Sequence, residues 1–226
     1  MLTPERVKTH WWRVALAVAA MVVASFSASP FAGLFGLVPI LAWSGLAPSR
    51  RSGLIVGVVL LALLAWFVLP GALSLAGPWV PAVREIYWVH PTLAAVVCAV
   101  GARRGYGWLL AMVLAGFAAT GVAWIAGLEA APGDEGILPV PAGLWAAGDI
   151  DCGSGGCWRV LEATGDRAPE VLRDHLVARN FTPAPQSEIT RVPRFCRRTG
   201  LLVDHEVCAE LRTLSPDAVR MEWYVN

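Results

Sequence analysis

The chain has 226 residues, of which 56% are hydrophobic and 15% charged, and its formal net charge is +1. That balance excludes a disordered chain and predicts several membrane spans. The basic residues form no stripe or patch, which excludes a nucleic-acid footprint.

The small net charge hides a division. Residues 1–128 carry eight basic and two acidic residues, whereas residues 129–226 carry ten arginines and fifteen acids. Such asymmetry predicts two halves in different surroundings. Lys8 is the only lysine beside seventeen arginines, a usage expected of a GC-rich bacterial genome.

Residues 1–13 are a short basic start, and His10, Trp11 and Trp12 lead into apolar sequence as an interfacial anchor would. Val14–Ala47 is 34 residues without a charge. One straight helix of that length would measure about 51 Å, against a bilayer core of about 30 Å. Pro30 lies mid-run and disfavours helix in the residue before it. The expectation is a hairpin, span 1 over 12–28 and span 2 over 31–47. A basic start, a short apolar run and small residues at Ser25 and Ser27 also match a cleaved signal peptide.

A basic turn at Pro48–Ser52 precedes span 3 over 54–75, with Pro70-Gly71 expected to kink or fray its end. Span 4 covers 86–101. Span 5 covers 106–127, 22 uncharged residues preceded by Arg103 and Arg104. Basic clusters before span 1, after span 2 and before span 5 all fall inside the cell if five spans start from a cytoplasmic N-terminus. The C-terminal part is then extracytoplasmic.

Residues 129–150, with Pro132-Gly133, Pro139 and Pro141, read as a stiff linker. Residues 151–226 read as a small α+β domain ordered strand–helix–strand–strand. The strand is Gly156–Ala163, and the helix is Pro169–Asn180, with Leu172 and Leu176 facing a sheet. Glu206–Thr213 and Val219–Val225 alternate as an antiparallel hairpin around Leu214–Asp217. Phe181–Pro193 is a loop, and Arg194–Val203 offers a further strand. The fold class is thus an α-helical membrane bundle of about five transmembrane helices followed by a small α+β extracytoplasmic domain.

Cys152, Cys157, Cys196 and Cys208 all lie in that domain, and an even count in a small exported domain reads as disulfides. Three pairings are possible. Cys152–Cys157 and Cys196–Cys208 are preferred, because each closes a local loop. Neither CxxC nor ligand-spaced histidines point to a redox or metal centre, and no cofactor is expected. Cys98 reads as an apolar packing residue. Gly153–Gly156 lacks the GK[ST] ending of a phosphate loop. Arg84, Glu85 and His90 form a polar cluster at the expected outer end of span 4, at headgroup depth. His205, between Asp204 and Glu206, reads as part of a solvated turn. Gly53 and Gly57, and Ala111, Ala115 and Ala119, have small-residue spacings suited to helix packing.

No catalytic constellation appears, and no G-x-S-x-G motif. The functional expectation is a non-enzymatic integral membrane protein whose exported domain binds, senses or assembles. Its partners are the lipid bilayer and either another membrane protein or an external ligand, with a basic partner mildly favoured by the acidic half. The alternatives are an accessory subunit of a larger membrane complex, and a small transporter or membrane enzyme using the Arg84, Glu85 and His90 end.

Overall fold

The computed structural model describes residues 4–27, 30–101, 105–127, 130–153, 156–185 and 192–226. Ala28 at the expected end of span 1, Arg103 and Arg104, Glu129, and the Ser154-Gly155 part of the Gly-rich turn lie outside the described residues. The chain divides into two compact units. One comprises 1–73 and 80–123, and the other 74–79 and 124–226.

The first unit is helical: α1 (Pro4–Ala24), α2 (Pro30–Leu46), α3 (Arg50–Ala72), α4 (Glu85–Gly101) and most of α5 (Tyr106–Gly127). Ser49 caps α3 by accepting the Ser52 N–H, so the basic turn becomes the helix's first turn. Pro70 stays inside α3, which runs on to Ala72.

Small residues set how these helices meet. Trp12 and Leu16, one turn apart on α1, sit on Gly53 and Gly57, one turn apart on α3. A Cβ at either glycine would lie within 2.4 Å of the facing side chain. The Gly53–Gly57 spacing therefore works within the bundle. Trp12 is correspondingly only 2% exposed, a packing residue and not the interfacial anchor expected, while Trp11 remains at the surface beneath Arg50. Trp43 donates its indole N–H to the Gly53 carbonyl at 3.1 Å.

Five spans were expected. Among the described residues, two helices are long and apolar enough to cross a bilayer, Arg50–Ala72 and Tyr106–Ile125. The apolar stretches of the others, Trp11–Ala24, Pro30–Leu46 and Glu85–Gly101, are shorter. At 1.5 Å per residue they reach roughly 21 to 26 Å. The reason is local. The first turns of α1 hold Glu5, Arg6 and Lys8, while α2 and α4 have 17 residues each.

The second unit is a six-stranded antiparallel sheet in the order β1-β2-β6-β5-β4-β3 with one helix, α6. The elements are β1 (Trp145–Gly153), β2 (Gly156–Thr164), α6 (Ala168–Ala178), β3 (Thr182–Ala184), β4 (Arg194–Thr199), β5 (His205–Ser215) and β6 (Ala218–Val225). The expected C-terminal hairpin is present as β5 and β6, with Leu211 opposite Met221 and Ala209 opposite Trp223. Leu172 and Leu176 of α6 are fully buried in the core with Leu161, Phe195, Leu211 and Met221.

The four-element order needs correction: β1 and the short β3 are additional, and the further strand offered over Arg194–Val203 forms as β4. β1 begins inside the expected linker. Its sequence, WAAGDIDCG, lacks alternation because every one of its nine residues is exposed, so no face was selected for burial.

Candidate functional site

Both preferred disulfides are formed, Cys152–Cys157 and Cys196–Cys208. Each joins residues directly opposite each other on neighbouring antiparallel strands, one at the tip of the β1–β2 ribbon and one between β4 and β5. Cys196, Glu206 and Cys208 bring potential ligand atoms within 4.8 Å of one another. With both sulfurs in a disulfide, no thiolate is left to hold a metal.

The sheet has two unlike faces. One carries the core. The other carries Glu206, Cys208, Glu210 and Arg212 of β5, and Arg220, Glu222 and Tyr224 of β6. There Arg220 is shared among Asp151 at 3.7 Å, Glu162 at 3.7 Å and Glu222 at 2.8 Å. Tyr224 donates to Glu210 at 3.0 Å and lies under the Arg194 guanidinium. Burial first, and then the Glu210 hydrogen bond, push the Tyr224 phenol up to about 12.

The core face holds a feature with no counterpart in the sequence reading. Arg159 pairs in register with Trp223, and Arg197 with Val207, so both guanidiniums lie on the apolar face. They bind the segment taken for a free linker. Arg159 donates to Pro132 O at 2.7 Å, Trp223 to Gly133 O at 3.0 Å, and Arg179 to Gly136 O at 3.0 Å. Arg197 donates to Glu135 O, and His175 Nε2 lies 2.8 Å from Ile137 O. Side chains from β2, α6, β4 and β6 thus take five of the carbonyls of 132–137. Burial lowers the Arg197 pKa, and the Glu135 carboxylate opposes the shift.

Glu135 and Gly136 turn this strap with φ of +51° and +74°, a left-handed pair that glycine accepts readily at the second position. The turn aims Ile137, fully buried, into the core. His205 is not in a solvated turn. It starts β5 and sits 3.1 Å from the Glu135 carboxylate. The available signal was an arginine at an apolar-face position of each of two strands.

Arg84, Glu85 and His90 do not share a surface. Arg84 is exposed, while Glu85 and His90 are fully buried in the helical unit. Glu85 accepts the Ala82 N–H at 2.9 Å, the return half of a capping box at the start of α4. His90 packs edge-on to Phe67 at 5.3 Å, and neither ring nitrogen has a hydrogen-bond partner among the described residues. An open pocket beside Met21, Ala24, Ser25, Leu34 and Leu37 is lined by none of these three residues. Cys98 is buried and unpaired, as expected of a packing residue. No known protein family, curated protein or solved structure matches the chain.

Proposed function

We propose that the chain is an integral membrane protein with five spans, a cytoplasmic N-terminus and an extracytoplasmic C-terminal domain that serves as a binding, sensing or assembly module. The observation that carries this reading is the joining, in one chain, of outward-facing apolar helices to a sheet stapled by two disulfides. Val14, Leu34, Ile55, Val96 and Leu114 all expose large apolar side chains, a surface suited to lipid. The disulfides suit an oxidising compartment. The two-unit division adds support. Residues 74–79, after α3, and 124–226, after α5, belong to one unit, and two intervening spans return the chain to the same side. Helices shorter than the core thickness fit by bilayer thinning and snorkelling flanks.

The test is thiol labelling of intact cells with a membrane-impermeant maleimide, with and without a reductant. Labelling of four cysteines only after reduction is expected. Labelling only after permeabilisation would invert the topology and end this reading.

A specific observation also favours an accessory-subunit role. α5 packs on α4 through Gly116, where a Cβ would lie 2.2 Å from the Tyr87 carbonyl oxygen. Its opposite side exposes Gly107, Ala111, Ala118 and Gly121, and Cβ atoms at Gly107 and Gly121 would meet nothing within 4 Å. Small residues there suit a second helix. Crosslinking through Ala111→Cys to another membrane protein supports that role, and a single monomer band on native gels counts against it.

A further inference from the structure

The margins of the sheet are treated unequally. β3, at one margin, has three residues including Pro183, the usual way to blunt an edge. β1, at the other, has nine residues, all exposed, and among the described residues pairs only with β2. The far end of β1 is tied to β2 by Cys152–Cys157. The fold thus keeps long and exposed the strand that proteins usually shorten or cover.

The phase of the pairing tells what the open edge offers. The Cα atoms of Cys152 and Cys157 are 4.1 Å apart, the spacing of a pair that exchanges no hydrogen bonds. Residues 146, 148, 150 and 152 therefore direct their N–H and C=O groups away from β2. Two of those donors are held by neighbouring carboxylates. Ile150 N–H donates to Asp149 Oδ1 at 2.8 Å, and Cys152 N–H to Asp151 Oδ1 at 3.0 Å.

The geometry points to the β1 edge as the docking surface of the exported domain, taking an extended segment with Lys or Arg at alternate positions by strand addition. This rests on the binding-module reading above. Asp149 and Asp151 share one face of β1, and Glu162 lies beside them on β2, opposite Ala147. Arg220 is divided among Asp151, Glu162 and Glu222, and Asp149 has no cationic partner among the described residues. A cross-strand cation two residues from the next meets both aspartates. As the incoming carbonyls accept from Ile150 and Cys152, the carboxylates are released to pair with those cations. A second copy of β1 is disfavoured on the same grounds, since antiparallel self-pairing about Ile150 sets Asp149 opposite Asp151, and like charges directly opposite destabilise a pair.

The experiment uses the full chain in detergent micelles at low salt. The probes are a capped nine-residue peptide alternating valine and lysine, the same peptide with glutamate for lysine, and the lysine peptide with its central valine changed to proline. Amide exchange of 146–152 is followed by mass spectrometry, with intact disulfides as the folding control. The lysine peptide is expected to slow exchange there, and the other two to have no effect. Asp149→Asn with Asp151→Asn should weaken binding about fivefold, as two exposed cross-strand ion pairs imply. Gly148→Pro, which removes an edge donor without touching the β2 ladder, should abolish the protection. Binding indifferent to the peptide's proline, protection on another strand, or no binding overturns the edge assignment. Protection of 146–152 without peptide, with a doubled mass, replaces the basic partner by a second copy and overturns the proposal. None of these outcomes disturbs the topology, which the maleimide experiment tests separately.

Discussion

Tyr224 titrates against its surroundings, and that makes it a reporter of the open sheet face. Its phenol is raised from an ordinary 10 to about 12, so the fold favours the neutral form. The sign follows: the stabilisation is fully present below pH 10 and is lost as pH rises through about 12. Absorbance at 295 nm should show the late ionisation, and Glu210→Gln should bring its midpoint back towards 10, because the carboxylate is a contributor to the rise. Ile137 is the residue that ties the strap to the core. It has no exposed surface, and Ile137→Ala should cost about 2 to 4 kcal/mol by urea denaturation followed through amide exchange of β5 and β6. A loss below about 0.5 kcal/mol would mean that the strap is only laid on the sheet.

At the scale of elements, the disulfides and the helix contacts divide the work. Cys196–Cys208 closes a loop with sequence separation 12, and Cys152–Cys157 one of 5. By loop-closure entropy they stabilise by about 3 and about 2 kcal/mol. Replacing each pair by alanines should therefore lower the urea midpoint more for Cys196–Cys208, and the reverse ranking would mean that loop length does not set the two contributions. In the helical unit, the α4–α5 contact depends on Gly116. Its missing side chain leaves room for the Tyr87 carbonyl, and Trp88 and Phe117 stack beside it at 5.7 Å. Gly116→Ala should lower stability in detergent by about 1 to 3 kcal/mol, because the obstruction is backbone and cannot rotate away. Much of this scale was legible in advance. Alternation gave β5 and β6, because one face of each is buried and the other is not. The leucines one turn apart gave α6. β1 escaped because a strand with neither face buried leaves no periodic trace.

For the whole molecule, labelling can check the proposed five-span topology. Residues 74–79 are fastened within the second unit: Gly77 N–H donates to Arg198 O at 2.9 Å, and Asn180 Nδ2 to Ser74 O at 2.9 Å. A cysteine placed at the exposed Pro78 should react in intact cells without reductant, and one at the exposed Pro48 only after permeabilisation. Equal reactivity of the two would break the five-span parity.

What the sequence by itself determined is whatever local rules encode. Helical apolar runs, two alternating strands, the turn between them and four cysteines close enough in sequence to pair all follow from periodicity and short separations. The tertiary structure alone decided the rest. The Arg84, Glu85 and His90 cluster came apart because Arg84 lies before α4 and is exposed, while Glu85 and His90 are carried on the helix into the interior of the helical unit. The linker became a strap because its carbonyls found Arg159, Arg179, Arg197, His175 and Trp223, donors 27 to 90 residues away in the chain. Carbonyls carry no side-chain signature, so nothing in the segment's own sequence announces that they are bound.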